Sequence, residues 1–204
     1  MLHRAIPVVC WILGGGILGA MSAVPPATAD GAPDQPAAPK NIDETPPLVP
    51  IPNARVTKTG LLIGGQPTPE HLKAIHEAGY RMIVTLRTDG EPGDEGEQAA
   101  VERLGMKYVS IPVDGAEGLT EDNARALDKE LSGVDVLPAV VHCSTGQRVS
   151  ALLGLKAFVV DRMSAAAAID LAKSLGMKKF EAALRERIAE ICKSDKSRNC
   201  KDVQ

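Results

Sequence analysis

"VVHCSTGQRVS", residues 140–150, decides how this chain is read. The apolar run "LPAVVHC" (137–143) stops at a cysteine, four small or polar residues follow, and then come an arginine and a second apolar run, "VSALLGLKAFVVD" (149–161). The first run is short and apolar throughout, as expected of a strand buried on both faces. The second is apolar nearly all round and predicts a buried central helix. The connection between them therefore lies at the C-terminal end of a central strand, where open α/β sheets place their ligands. Gly146 allows the backbone a positive φ there. Successive N–H groups of such a loop converge on an anion, and the helix N-terminus adds its positive dipole end. That field favours the thiolate of Cys143, and Arg148 can clamp an anion with two parallel hydrogen bonds. The plainer alternatives are a buried inert thiol and an arginine in a surface ion pair.

Outward from this stretch, strand-like and helix-like segments alternate. "GLLIGGQ" (60–66), "RMIVTLR" (81–87) and "KYVSIPV" (107–113) read as strands. "TPEHLKAIHEAG" (68–79) is a helix with Thr68 as N-cap, Pro69 at its first position and Gly79 as its stop. "QAAVERLG" (98–105), "TEDNARALDKELSG" (120–133), "AAAAIDLAKSLG" (165–176, capped by Ser164) and "KKFEAALRERIAEIC" (178–192) complete the helices. The pattern predicts a single-domain α/β sandwich around a central, mostly parallel sheet flanked by helices. The acidic segment "TDGEPGDEGE" (88–97), with Asp89, Glu91, Asp94, Glu95 and Glu97, reads as a solvated loop, and the sign-alternating "KKFEAALRER" as a solvated face.

The ends differ from the middle. Residues 1–29 carry Arg4, a long apolar stretch and the small-residue run "PPATA", the form of a secretory signal cut before Asp30. The alternative is an uncleaved anchor. Residues 30–54 are proline-rich and read as an extended linker, with "PLVPIPNA" apolar enough to lie against the domain. The folded domain is expected over residues 55–192, with a polar tail at 193–204. Export implies a periplasmic or secreted protein. Cys143, Cys192 and Cys200 lie outside the leader, so one thiol is left over if two pair. Pairing of Cys192 with Cys200, or Cys192 as a small hydrophobe on a helix, are both open.

Composition excludes several functions. There are 23 basic and 26 acidic residues, a net charge of −3, and no basic stripe, so nucleic acid is not an expected partner. Aromatic residues make up 2% of the chain, too few for base-stacking platforms. With the leader removed, nothing marks a membrane partner. His71 and His76 stand five apart on their helix, where a metal-binding pair stands four apart. The acidic loop lacks the ligand ladder of a calcium site. Neither a metal nor a cofactor is implied.

Three longer stretches carry a family resemblance. "LLIGGQPTPEHLKAIHEAGYRMIVTLR" (61–87), "GMKYVSIPVDG" (105–115) and "VVHCSTGQR" (140–148) resemble the cysteine-dependent protein phosphatase superfamily. The likeness is to its dual-specificity branch, and particularly to the phosphatase-like domain of bacterial beta-lactamase-hydrolase-like proteins, over roughly residues 55–175. The resemblance implies a dual-specificity-phosphatase-like fold and a phosphocysteine mechanism acting on a phosphorylated protein or small molecule. Cys143 would be the nucleophile. Ser144, Thr145, Gly146, Gln147 and Arg148 would hold the phosphate. Asp114 would serve as general acid, with Glu117, Glu121 and Asp122 as nearby substitutes. His142 would support the loop from behind. Two departures stand out. Phosphatases of this kind usually place five residues between Cys and Arg; here there are four, a length resembling that of rhodanese-type sulfurtransferases. The hydroxyl usually found just after the arginine is replaced by Val149, with Ser150 one step later. Persulfide transfer and a non-catalytic anion-binding module are the competing expectations.

Overall fold

The computed structural model describes residues 47–93, 95–133 and 138–200. The expected signal and most of the linker lie outside them. Five strands form one sheet: β1 (Arg55–Val56), β2 (Leu62–Gly64), β3 (Met82–Thr85), β4 (Lys107–Ser110) and β5 (Ala139–His142). Their order is β1-β2-β5-β3-β4, with β1 antiparallel to β2 and every other pair parallel. The mostly parallel α/β sandwich expected from the alternating pattern is therefore present, and the two-residue β1 is an addition to it.

β5 is central. Its residues pair with β2 on one side (Val141 opposite Ile63) and β3 on the other (Val141 opposite Val84). All four of its residues are buried, which is why it reads as an uninterrupted apolar run. Alternation divides them between two cores. Ala139 and Val141 join the larger core with the helices α3 (Glu121–Leu131), α4 (Gln147–Val159), α5 (Ala165–Ser174) and α6 (Glu181–Ser194). Val140 joins the smaller core with α1 (Pro69–Glu77) and α2 (Glu97–Arg103). Helices thus cover both faces. α4 has ten buried residues among its thirteen, and Gly154 is what lets its neighbours so close: a Cβ there would meet Ala172 Cβ at 2.7 Å and the Ala168 carbonyl at 3.0 Å.

Caps follow their residues. Thr68 accepts from His71 N at 3.3 Å, while His71 Nδ1 accepts from Thr68 N at 3.1 Å. His71 thus fills the place an acid usually takes in a capping box, and so has a structural role. Thr120 and Ser164 cap α3 and α5 through Asn123 N and Ala167 N.

The folded unit is longer than residues 55–192 at both ends. Val49 and Ile51 are buried in the smaller core, and Tyr80 donates its hydroxyl to the Pro47 carbonyl at 3.1 Å. Burial pushes the Tyr80 hydroxyl up to about 12. At the other end Cys192 and Cys200 form a disulfide, with Cα atoms 6.0 Å apart. Ala165 N donates to Asn199 O, and Arg198 donates to the carbonyls of Phe158 and Val159 while lying 5.4 Å over the Phe158 ring. The segment after α6 is a strap on the domain through residue 200.

Closing so short a loop removes about 2 to 3 kcal/mol of unfolded-chain entropy. Replacing both Cys192 and Cys200 by Ser is expected to lower unfolding stability by about that amount, read by urea denaturation. Cys143, the free thiol, stays intact in that variant. A change under about 0.5 kcal/mol would show that the strap holds without its disulfide.

Candidate active site

The loop from Cys143 to Arg148 is built as its sequence requires. β5 ends at His142, and Gly146 (φ 83°) turns the chain into α4 as its N-cap. Another side chain at Gly146 would strain that conformation. The outward groups of the loop are satisfied by the strand next door and the segment before it. Ser144 O accepts from Gln66 N at 3.3 Å, Thr145 O accepts from Asn53 Nδ2 at 3.2 Å, and Cys143 N donates to Gly64 O at 3.3 Å. Gly146 N points inward and donates to the sulfur of Cys143 at 3.1 Å. Cys143 itself is buried.

Arg148 is gripped from several sides. Its Nη1 and Nη2 each donate to an oxygen of Glu91 at 2.6 Å. Nη1 also donates to Val113 O at 3.1 Å and Leu86 O at 3.3 Å, and Nη2 to Ser144 Oγ at 2.8 Å. Ser144 Oγ in turn donates to Glu91 Oε2 at 2.7 Å. The guanidinium beside it holds the Glu91 carboxyl well below the usual carboxylate range, against a smaller opposing effect of burial. Glu91 in return raises Arg148, and the nearby Cys143 sulfur adds to that rise.

Glu91 is one link in a buried polar chain. Arg87, almost wholly buried, donates to Gln66 Oε1, to Pro92 O at 2.6 Å and to Glu91 Oε2 at 3.3 Å. Gln66 Nε2 donates to Glu97 Oε1 at 2.9 Å. His142, fully buried below the loop, has Nε2 3.2 Å from the same Glu97 oxygen, although the approach forms no hydrogen bond. The hydrogen-bonded chain thus runs from Glu97 through Gln66, Arg87 and Glu91 to Arg148, with the His142 ring beside its first member.

The reading of residues 88–97 as a solvated loop holds for Asp89 and Glu95, which are exposed, and is corrected at Glu91 and Glu97. Glu97 is buried at the start of α2, and Glu91 folds inward onto two arginines. The spacing Arg87-x-x-x-Glu91 after an apolar strand was the available signal; the richness of the segment in acid and glycine hid it. The resemblance placed His142 behind the loop. Its ring lies beside Glu97 of α2, with no hydrogen bond between them. Ser150 is not positioned for the thiolate. Its Oγ bonds the carbonyls of Leu175 at 2.8 Å and Gly146 at 3.0 Å, and the sulfur takes its hydrogen bond from Gly146 N instead. Gln147 faces the α5–α6 turn, accepting from Lys178 N at 2.7 Å and donating to Gly176 O at 2.8 Å.

Asp114 follows Val113, whose carbonyl Arg148 grips, and it is exposed. Gly118 N donates to Asp114 O at 2.8 Å, so residues 114–118 close into a tight turn beside the arginine. Glu117 is exposed on that turn, and Glu121 is paired with Arg125 on α3. Among the described residues no cluster of three or more His, Cys, Asp or Glu is placed to hold a metal ion, and no helix is long and apolar enough to cross a membrane.

The comparisons with known proteins agree with this fold. A family model described as "DSP-PTPase phosphatase fused to NAD+ Kinase" matches residues 53–190. A beta-lactamase hydrolase-like protein of Xylella fastidiosa is 36% identical over 107 residues, covering 50% of this chain and 24% of that protein. The chain therefore matches only a small part of that relative's length. The DUF442 protein of Shewanella putrefaciens CN-32 superposes with a TM-score of 0.53 at 23% identity, over 69% of this chain and 94% of that one. The core catalytic domain of the PP-IP phosphatase Siw14 from S. cerevisiae does so with a TM-score of 0.50 at 16% identity, over 72% and 95%. At these identities the structural likenesses establish the fold.

Two outcomes are expected from the site's interactions. The stability difference between wild type and Glu91→Gln is expected to be constant above about pH 5 and to shrink as pH falls below the unfolded carboxylate value of about 4.3, because the folded Glu91 is held lower. Urea denaturation across pH measures it; a difference unchanged down to about pH 3 would mean that the charge of Glu91 contributes nothing. Ser150→Ala removes the one hydroxyl proton that Leu175 O and Gly146 O share, while Gly146 O keeps the Ser150 N–H at 3.1 Å, and the loss at Leu175 O is expected to cost about 1 kcal/mol by the same measurement.

Proposed function

Starting from a chain that belongs to the DSP-PTPase family described as phosphatase fused to NAD+ kinase, we propose that it is an exported cysteine-based phosphatase cleaving phosphate monoesters. One observation carries the reading. The sulfur of Cys143 receives the Gly146 N–H at the floor of a loop whose arginine already grips an oxyanion, the Glu91 carboxylate, through both Nη atoms. Donors arranged in this way before substrate arrives suit the charge that develops on transferring oxygens.

The Cys143 thiolate attacks phosphorus, and the S–P bond forms as the P–O ester bond breaks. Its electron pair leaves on the alcohol oxygen, which takes a proton from Asp114. Arg148 and the loop amides hold the equatorial oxygens. Asp114, now a carboxylate, removes a proton from water, which attacks phosphorus and releases inorganic phosphate and the thiolate. Glu91 fixes the plane of the guanidinium beforehand, and because both Nη atoms are bonded to it, Arg148 meets the phosphoryl oxygens through Nε or by exchanging a Glu91 bond for one to substrate. The Gly146 N–H stabilises the departing sulfur, a task for which Ser150 is not placed. The Cys192–Cys200 disulfide and the signal-like residues 1–29 support export to an oxidising compartment, the periplasm or beyond. The pool of substrates there would be phosphorylated proteins or small molecules.

The four-residue spacing favours one rival, persulfide transfer, because a single sulfur needs a smaller cradle than a phosphoryl group. A paired assay decides between them: p-nitrophenyl phosphate hydrolysis beside thiosulfate-to-cyanide sulfur transfer, on reduced protein. Phosphate release is expected, abolished in Cys143→Ser and lowered about 100-fold or more in kcat by Asp114→Asn. Thiocyanate formation that needs Cys143 but not Asp114, with no phosphate release, would overturn the reading.

A further inference from the structure

A cleft of about 280 Å³ borders the signature loop at Thr145, Gly146 and Gln147, and neither Cys143 nor Arg148 lines it. Its other walls come from β1, the end of β2 and the turn between α5 and α6. Three cations stand on it, Arg55, Lys178 and Lys179, and no Asp or Glu does. None of the three has an ion-pair partner among the described residues, although the chain carries a net charge of −3 and pairs Lys156, Lys173, Arg185, Arg187 and Arg198 elsewhere. Like charges gathered at one cleft repel one another, and a concave wall concentrates their field on whatever enters.

The cations are held there by the fold. Arg55 is fixed in register by pairing with Ile63, and its guanidinium lies directly on Gly176: a Cβ at 176 would stand 2.8 Å from Arg55 Nε and 3.1 Å from Nη2. Gly176 is also at φ 97°, so the turn needs glycine for both reasons. The lysines are set by Gln147, whose Oε1 accepts from Lys178 N at 2.7 Å and Lys179 N at 3.0 Å while its Nε2 donates to Gly176 O. Ser150 Oγ pins Leu175 O from below. The first turn of α4 therefore holds the basic turn rigidly, and Asn53 and Thr145 add polar walls.

We propose that this cleft is a second anion site, binding a phosphoryl group through Arg55, Lys178 and Lys179. A planar guanidinium and two mobile ammonium groups around one cavity suit the three oxygens of a terminal phosphoryl group. The group belongs either to a substrate carrying a second phosphate or to a separate phosphorylated small molecule. Gln147 joins this site to the catalytic loop as their shared wall. The proposal does not depend on turnover at Cys143.

The test is a titration of the isotope-labelled, purified chain with inorganic pyrophosphate, following its amide resonances. Saturable shifts are expected at Gly176, Lys178 and Lys179. They are expected to persist in Arg148→Gln, and to need at least tenfold more pyrophosphate in the Arg55→Gln/Lys178→Gln/Lys179→Gln variant. The three replaced side chains are exposed, and the variant's own amide spectrum reports its fold. Shifts confined to residues 143–148, or shifts at 176–179 unaltered in the triple variant, would overturn the proposal; wild type alone settles the first point if Arg148→Gln does not fold. Given binding, the effect of pyrophosphate on p-nitrophenyl phosphate hydrolysis separates the sources. A raised KM that is lost in the triple variant points to one ligand reaching both sites, and a KM that responds alike in wild type and triple variant to a separate ligand.

Discussion

A buried guanidinium must find partners for its donors, and at Arg87 that requirement organises the end of the molecule that carries the Cys143–Arg148 loop. The residue sits just beyond β3, where solvent is excluded, so an unpaired charge would be prohibitively costly. Its three partners come from different parts of the chain: Gln66 after β2, and Glu91 and Pro92 from the loop after β3. Satisfying Arg87 therefore folds the acidic loop inward and places Gln66 against Glu97. Glu91, once drawn in, has its carboxylate in reach of the Arg148 fork. The position of Arg148 is thus set through a second arginine, Arg87.

The same constraint accounts for the division of labour around the signature loop. On the β3 side, Leu86 O, Val113 O and Glu91 take up Arg148. On the β2 side, Gly64, Gln66 and Asn53 bond the outer edge of the loop. With the carbonyls of Ser144 and Thr145 turned outward, the amide of Gly146 is free to face the sulfur. The loop's first helical turn then ties down residues 175–179 through Gln147 and Ser150. The four-residue spacer is thus held by neighbours on both sides.

The segment 47–54 and the strap 195–200 belong to this frame too. Val49 and Ile51 close the smaller core beneath β2, and Asn53 reaches Thr145 from the same stretch. Arg198 and the disulfide close the larger core at the far end of α4. Each end of the domain thus braces an element that carries the site: β2 beside the loop, and the helix that begins with it.

The alternation of apolar runs, caps and glycines was enough to determine the α/β sandwich, the buried central strand and helix, and the Cys143–Arg148 loop between them. These are local properties: periodicity reports which faces are buried, and a strand–loop–helix junction is contiguous in the chain. Family resemblance likewise came from contiguous motifs. Tertiary structure alone decided which charges are inside. Glu91 and Glu97 have the same composition-level signature as Asp89 and Glu95, and what separates them is a partner from another element within hydrogen-bond reach: Arg148 for Glu91, and Gln66 for Glu97. It also decided that Ser150 bonds carbonyls, that Cys192 reaches Cys200, and that Arg55 meets a turn more than a hundred residues away. Partners distant in sequence are brought together only by packing, and the energy of a charge depends on the partner it finds.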